Sequence, residues 1–243
     1  RHQGVVQLLL DHYDIDLNIR DNYGWTALMW ACNKGHKDIV QLFLGHSDRI
    51  DLNAKNHGLT ALMIACQRGH QGVVQLFLDH SDIDLNVRDN CGWTALMWAC
   101  KNGHKDLVKL LLDHYERIDL NTRDNHGLTA LMIACQNGCK DVAKLFLDLS
   151  DPNIDLKAKD GKGWTALMQA CNNGQKDVVK LLLEYSDKNI DFNARTYAGG
   201  YTALMIVIKS RRKDIVQLFL DHSDIDLNVR DIYGDTALMI ACQ

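Results

Sequence analysis

The stretch DNYGWTALMWACNKGH, residues 21–36, decides the fold of this chain, because its central Thr-Ala-Leu-Met occurs six more times. The intervals between successive copies are 34 to 37 residues. A period of this length is typical of solenoids, in which each small unit buries its apolar face against its neighbours. The sequence therefore predicts a stacked array without one closed core. The copies begin at Thr26, Thr60, Thr94, Thr129, Thr165, Thr202 and Thr236.

One unit, residues 21–54, contains a turn, two short helices and an extended return. Gly24 supplies the permissive backbone of the turn, and Thr26 is the predicted N-cap of the first helix. Gly35 is the predicted residue that ends this helix, because glycine readily adopts the left-handed conformation found there. A second, mostly apolar helix is predicted over His36–Leu44. The unit is thus a helix pair with a projecting turn.

The pattern Asp-x-x-Gly-x-Thr-Ala-Leu-Met-x-Ala-Cys-x-x-Gly-His, followed by Val-x-Leu-x-Leu, resembles the ankyrin repeat. The resemblance covers essentially the whole chain and implies an all-α solenoid of helix-turn-helix pairs with β-turn or hairpin fingers. Because neither end shows a polar capping repeat, we expect a single array that is part of a longer one. Six whole repeats and two flanking half repeats are expected, at residues 1–20, 21–54, 55–88, 89–123, 124–159, 160–196, 197–230 and 231–243.

Composition argues against two classes of partner. The net charge is −4, from 27 basic and 31 acidic residues, and a nucleic-acid-binding protein normally shows a basic excess or patch. No apolar run approaches the ~18 residues of a membrane-spanning helix. We therefore expect no nucleic-acid partner and no direct membrane insertion.

Six of the eight cysteines share one position, three residues after the repeated methionine. Stacked helices lie ~8–10 Å apart, which is too far for a disulfide. The pattern therefore predicts a column of small, buried, free thiols. Free thiols in this number favour a reducing compartment, and hence an intracellular location in the cytoplasm or nucleus. The six are Cys32, Cys66, Cys100, Cys135, Cys171 and Cys242.

Four patterns could suggest chemistry, but each lacks a required part. Asp-x-Asp-x-Asn, at Asp14, Asp82 and Asp224, lacks the glycine and glutamate of a calcium loop. His-Ser-Asp places three adjacent residues where a catalytic relay needs separated ones. Gly161-Lys162-Gly163 is too short for a phosphate loop. Histidines at the ends of second helices are too far apart to share zinc. These histidines are His12, His46, His80, His114 and His222.

Aromatic residues occupy the position just before the capping threonine in several copies. In the ankyrin repeat this position faces a concave groove, which implies contact with a partner protein or peptide. Trp30 and Trp98, inside first helices, are instead expected to pack between repeats. The polar residues near the groove differ between copies, so they are not fixed by the scaffold and are available for contact with a ligand. The predicted groove comprises Tyr23, Trp25, Asn33, Lys34, His57, Leu59, Gln67, Arg68, Trp93, Lys101, Asn102, His126, Leu128, Gln136, Asn137, Lys162, Trp164, Asn172, Asn173 and Tyr201.

The sequence thus predicts a non-catalytic protein–protein interaction module, monomeric, with no catalytic residue, metal or cofactor. The alternative is an accessory or spacer segment of a larger protein, such as an enzyme, a membrane-protein tether or an effector, with its chemistry elsewhere. The sixth copy departs most from the pattern. Arg211 replaces the helix-ending glycine there, and Val207 and Ile208 replace Ala-Cys, so we expect a strained turn and a weaker repeat.

Overall fold

The computed structural model describes residues 3–81, 83–149, 154–185 and 188–243. Within these ranges the regular structure is helical, apart from one isolated bridge between Asn56 and Leu59, so the all-α prediction is confirmed. The chain divides into two compact units, Arg1–Asp119 and Leu120–Gln243. Among the described residues, no helix has the length and apolar character that crossing a membrane requires.

The described part of the first unit contains seven α-helices. They are α1 (Gln3–Leu10), α2 (Ala27–Lys34), α3 (Lys37–Leu44), α4 (Ala61–Arg68), α5 (Gln71–Leu78), α6 (Ala95–Lys101) and α7 (Lys105–Leu112). Helices α2, α4 and α6 pack in one row, and α1, α3, α5 and α7 pack in a second row. Each helix of the first row also packs against the helix that follows it, which gives two layers.

The second unit repeats this two-layer arrangement in its described part. Its helices are α8 (Ala130–Gln136), α9 (Lys140–Asp148), α10 (Ala166–Asn172), α11 (Lys176–Glu184), α12 (Ala203–Lys209), α13 (Lys213–Leu220) and α14 (Ala237–Ala241). Helices α8, α10, α12 and α14 form one row, and α9, α11 and α13 form the other.

Every first-row helix begins at a threonine, as the pattern predicts. In α2 the Thr26 hydroxyl accepts the Met29 N–H at 3.3 Å, which satisfies one of the free donors at the helix start. The helix ends at Gly35, whose φ of 70° is left-handed. Arg211 adopts the same left-handed conformation after α12, with φ 56°, so the predicted strain at this position is confirmed.

The cysteine column lies in the core between the two rows. Cys32, Cys66, Cys100, Cys135 and Cys171 are all fully buried and free. Burial raises the pKa of the Cys32 and Cys66 thiols far above their usual range. The prediction is wrong for Cys242, which is exposed because the described chain contains no helix after α14 that could cover it.

The asparagines that end two of the Asp-x-Asp-x-Asn triplets, Asn18 and Asn86, connect successive repeats. The Asn86 side chain donates to the Arg117 carbonyl at 2.9 Å and accepts the Asp119 N–H at 2.8 Å. The Asn86 N–H in turn donates to Asp84. Asn193 makes the same bridge in the second unit. Asp82, which begins one triplet and ends one His-Ser-Asp, lies outside the described residues.

Two arginines reinforce this connection in the first unit. The Arg117 guanidinium donates to the carbonyls of Leu78, His80 and Ile83 at 2.9 to 3.4 Å, at and just beyond the end of α5. Arg49 makes three equivalent bonds to carbonyls at and beyond the end of α1, at 2.7 to 3.1 Å. Because the last carbonyls of a helix lack intrahelical donors, these cations complete the helix ends.

Candidate protein-binding face

A projecting turn precedes each first-row helix, and we call these turns fingers. In finger 1, residues 21–25, one carboxylate oxygen of Asp21 accepts the N–H groups of Tyr23 and Trp25, both at 2.9 Å. Gly24 has a φ of 79°, and a Cβ there would come within 2.4 Å of the Asn56 side chain. The finger therefore needs glycine at this point, and it holds the Trp25 backbone at a fixed place.

The second carboxylate oxygen of Asp21 ties the finger to its helix. It accepts the Trp30 indole N–H at 2.8 Å, and the Trp25 and Trp30 ring centroids lie 4.8 Å apart. The Trp30 side chain remains 41% exposed. The Trp25 N–H, followed by the Trp30 indole, lowers the pKa of Asp21, so this carboxyl is ionised at neutral pH.

Finger 3, residues 89–93, repeats this arrangement. The Trp98 indole donates to Asp89 at 3.1 Å, and the Trp93 and Trp98 ring centroids are again 4.8 Å apart. The expectation that Trp30 and Trp98 pack between repeats is therefore corrected. Each indole instead pairs with the finger of its own repeat, because the finger carboxylate supplies the acceptor that the indole N–H requires. The signal is an Asp and a Trp nine residues apart.

Finger 5, residues 160–164, shows a third version of the same connection. Gln169 donates to Asp160 at 2.8 Å, but Gln169 is buried and presents no ring beside Trp164. At the equivalent helix position, α4 and α8 carry Ile64 and Ile133, which have no donor to offer. The two-tryptophan arrangement is therefore confined to repeats 1 and 3 among those described.

Lysines lie over several of these rings. Lys101 Nζ is 5.0 Å from the Trp93 ring and 5.2 Å from the Trp98 ring. In the second unit, Lys209 Nζ is 4.2 Å from the Tyr201 ring. All three distances are within cation–π range. Sequence reasoning placed Lys101 beside the groove, but it did not foresee this ring contact.

Several predicted polar groove residues also have local structural roles. The side chains of Asn102, Asn137 and Asn173 each donate to a carbonyl four residues earlier, at 2.8 to 2.9 Å. Arg68 donates to the Asn33 side chain at 2.9 Å and so joins two repeats. These side chains therefore help to end or to connect helices, whatever else they contact.

The predicted groove residues differ in how much surface they offer. Leu128 is only 9% exposed, so it offers a partner almost no surface, contrary to its assignment to the groove. Half-buried residues are Trp25, Asn33, Leu59, Gln67, Trp93, Gln136, Trp164 and Tyr201. Exposed residues are Tyr23, Lys34, His57, Arg68, Lys101, Asn102, His126, Asn137, Lys162, Asn172 and Asn173.

The comparisons identify the class of protein. A family model described as ankyrin repeats matches residues 1–89, 82–160, 123–196, 149–231 and 188–243, so the chain belongs to the ankyrin repeat family. It is therefore a protein-interaction repeat module. A search of the curated proteins finds no significant match.

Among solved structures, the chain is similar to the crystal structure of the ankyrin repeat domain of Bcl-3, described as a unique member of the IkappaB protein family. The two share 27% sequence identity with a TM-score of 0.78. The match covers 90% of this chain and 94% of the other.

Proposed function

We propose that this chain binds a partner protein or peptide on the face formed by its fingers and first-row helices. The observation that carries the proposal is the pair of half-open indole platforms, Trp25–Trp30 and Trp93–Trp98. Each platform is held at the surface by the hydrogen-bonded turn of its finger and by the finger carboxylate, although burial would stabilise an indole more. Tryptophans fixed at a surface in this way are typical centres of protein interfaces.

The two platforms suit one extended segment of a partner. They lie two repeats apart in the same unit, and neighbouring helices stack at ~8–10 Å, so the platforms are separated by roughly 16–20 Å. A strand rises ~3.3 Å per residue, so about five or six partner residues connect them. Exposed Lys34, Arg68 and Asn102 provide a polar rim, as protein interfaces commonly have.

The second unit offers a related surface of its own. Trp164 and Tyr201 are half-buried at their fingers, and Lys162 is exposed beside Trp164. We assign these residues a secondary part in partner binding, because neither finger carries a second exposed ring like Trp30. The division into six whole and two half repeats remains a prediction.

The remaining parts of the proposal concern setting and mechanism. We propose a monomeric, non-catalytic scaffold, since the carboxylates of the fingers are engaged by backbone N–H groups and ring donors. The fully buried free thiols support an intracellular location, because a reducing compartment keeps such thiols unpaired.

The test uses peptides selected on the wild-type chain from a displayed library of random twelve-residue sequences. Trp25→Ala and Trp93→Ala should each weaken binding of the selected peptides about 30-fold, since a central anchor typically contributes ~2 kcal/mol. The matched control is Lys144→Ala, an exposed position on helix α9, which should leave the affinity unchanged.

Melting temperatures separate binding from folding in this test. Each tryptophan also packs on its neighbour, so a small loss of ~1 kcal/mol in stability is expected. The proposal fails if both tryptophan variants remain folded and bind the selected peptides as tightly as the wild-type chain does.

A further inference from the structure

We propose that the Trp25–Trp30 platform receives a single basic side chain, lysine or arginine, from the partner. This inference rests on the proposed function and specifies the chemistry of one of its two platforms. It comes from comparing two nearly equal sites in one unit, of which one already holds a cation and the other does not.

The Trp93–Trp98 platform shows what such a pair of rings accommodates. Lys101 lies three residues after Trp98, on the same side of helix α6, and its ammonium is 5.0 and 5.2 Å from the two rings. The chain itself thus places a cation on this platform. The carboxylate of Asp89, bonded to the Trp98 indole, completes the surroundings.

The Trp25–Trp30 platform has the same pair of rings and an equivalent carboxylate. The two residues that follow the cysteine of its helix, however, stand in the opposite order. Repeat 3 reads Lys101-Asn102, whereas repeat 1 reads Asn33-Lys34. The position three residues after Trp30 is therefore an asparagine, which is engaged by Arg68 of the next repeat. In the part of the chain that the structure describes, no cation lies over Trp25 or Trp30.

Two further features favour a cation at this open platform. Trp30 is 41% exposed and Trp25 is half-buried, so part of the ring pair is accessible from solvent. The exposed Asp21 carboxylate is bonded to the Trp30 indole at 2.8 Å, so a negative charge lies beside the rings. Rings with an adjacent carboxylate attract an ammonium or guanidinium group.

The surrounding charges limit the kind of segment that fits. Exposed Arg20, Lys34 and Lys55 belong to the same finger-and-helix face. Arg20 donates to the Lys55 carbonyl at 2.6 Å, and Lys55 donates to the Arg88 carbonyl at 3.0 Å, so these cations line successive fingers. A strongly basic segment would be repelled by them. The expected ligand is therefore one lysine or arginine within an otherwise neutral or acidic segment.

The decisive experiment exchanges the two helix endings. Asn33→Lys combined with Lys34→Asn gives repeat 1 the order found in repeat 3, and Lys101→Asn combined with Asn102→Lys does the reverse. The probe is argininamide, titrated to high millimolar concentration, with the indole N–H signals of Trp30 and Trp98 followed by NMR. Citrullinamide, which has a neutral urea group in place of the guanidinium and keeps the same α-amino group, is the control ligand.

In the wild-type chain, argininamide should shift the Trp30 signal in a saturable manner and at least three times as far as the Trp98 signal. In the first exchange the Trp30 response should fall to the level of Trp98, and in the second exchange Trp98 should gain a response. For a full peptide with one basic residue, the first exchange should weaken binding roughly two- to fivefold.

Asn33→Ala removes the bond to Arg68 without adding a lysine, and it should keep the Trp30 response. Equal responses of Trp30 and Trp98 in the wild-type chain, or responses that ignore both exchanges, would overturn the inference. If Trp25→Ala still weakens the selected peptides in that case, the partner-binding face stands and only the cation assignment falls. Melting temperatures of both exchanges show whether each variant is folded.

Discussion

The third helix pair, α6 and α7, and the sixth, α12 and α13, share one sequence register. They differ in the residue that adopts the left-handed conformation in the turn between the two helices. Helix α6 is followed by Gly103 with a φ of 67°, and helix α12 is followed by Arg211 with a φ of 56°. The left-handed conformation is nearly free for glycine, but it costs a residue with a side chain about 1 kcal/mol. The sixth pair thus keeps the turn of the repeat without the residue that suits it.

The fingers differ in the same direction. Asp89 accepts the N–H groups of Cys91 and Trp93, both at 2.8 Å, and also the Trp98 indole. Thr196, at the equivalent position, accepts one N–H, from Tyr201, at 3.0 Å. A hydroxyl has one oxygen where a carboxylate has two, so the sixth finger is not tied to its helix in this way.

The comparison shows that the fold tolerates changes which alter the surface. In a solenoid, stability is approximately a sum of local and nearest-neighbour contributions, so one weakly satisfied repeat does not abolish the array. The core of the sixth pair accommodates the larger side chain that replaces alanine there, since Val207 is fully buried. The fixed Thr-Ala-Leu-Met builds the core, and the finger residues are the ones that decide what each repeat can present.

Thiol reactivity should show the largest difference. Cys91 at the tip of finger 3 is exposed, whereas Cys100 of the same repeat is fully buried. A buried thiol reacts only when its helix opens, so a native labelling reagent should modify Cys91 at least ~100-fold faster. Mass spectrometry of labelled peptides measures both rates. Ile208→Cys places a thiol at the equivalent site of α12, and it should react faster than Cys100.

Removal of the finger carboxylate should have the next largest effect. Asp89→Ala removes acceptors for two backbone N–H groups and one indole, so it should lower the free energy of unfolding by about 2 kcal/mol. Thr196→Ala removes two neutral bonds, one accepted from the Tyr201 N–H and one donated to the Ala198 carbonyl, and should lower it by about 1 kcal/mol. Urea denaturation measures both. Equal losses would show that the two fingers are equally important for stability.

Amide exchange rates should differ between the third and sixth helix pairs of the wild-type chain. Backbone amides of α12 and α13 should exchange about tenfold faster than those of α6 and α7, because the sixth pair begins at a less satisfied finger and carries the strained Arg211. Hydrogen exchange followed by mass spectrometry resolves the helices. Uniform protection of all four helices would contradict this prediction.

Repair of the strained turn should have the smallest effect. Arg211→Gly should raise the free energy of unfolding by about 1 kcal/mol and slow the exchange of α12 amides, since glycine adopts the observed φ without strain. Arg211→Ala is the matched control, because it removes the long side chain but retains the strain. If the alanine variant gains as much stability as the glycine variant, charge and not backbone conformation limits this turn.

Local patterns allowed much of the fold to be predicted. Thr26 as a helix start and Gly35 as a helix end follow from preferences that act within a few residues. The burial of Cys66 follows from its repeated place on the inner side of a helix. In contrast, the Arg117 bonds to the end of α5 span 34 to 39 residues, and nothing in the spacing indicated them.

The site was predicted less well than the fold. Trp25 and Trp93 were correctly placed on fingers, but Trp30 and Trp98 were expected to pack between repeats, and Leu128 was expected to be available to a partner. Which ring is exposed depends on the rotamer that each side chain adopts on the folded backbone. A spacing of nine residues becomes a contact only when the finger folds back on its helix.

The sequence by itself determined the repeat, its helix pairs, its caps and its buried column, because these depend on a short pattern that recurs seven times. Only the tertiary structure decided that two indole pairs stand half-open and that Lys101 covers one of them while Trp25 and Trp30 remain uncovered. The physical reason is that core burial is set by periodicity, which the chain displays directly. Surface contacts are instead set by rotamers and hydrogen bonds between segments, which exist only after the repeats have stacked.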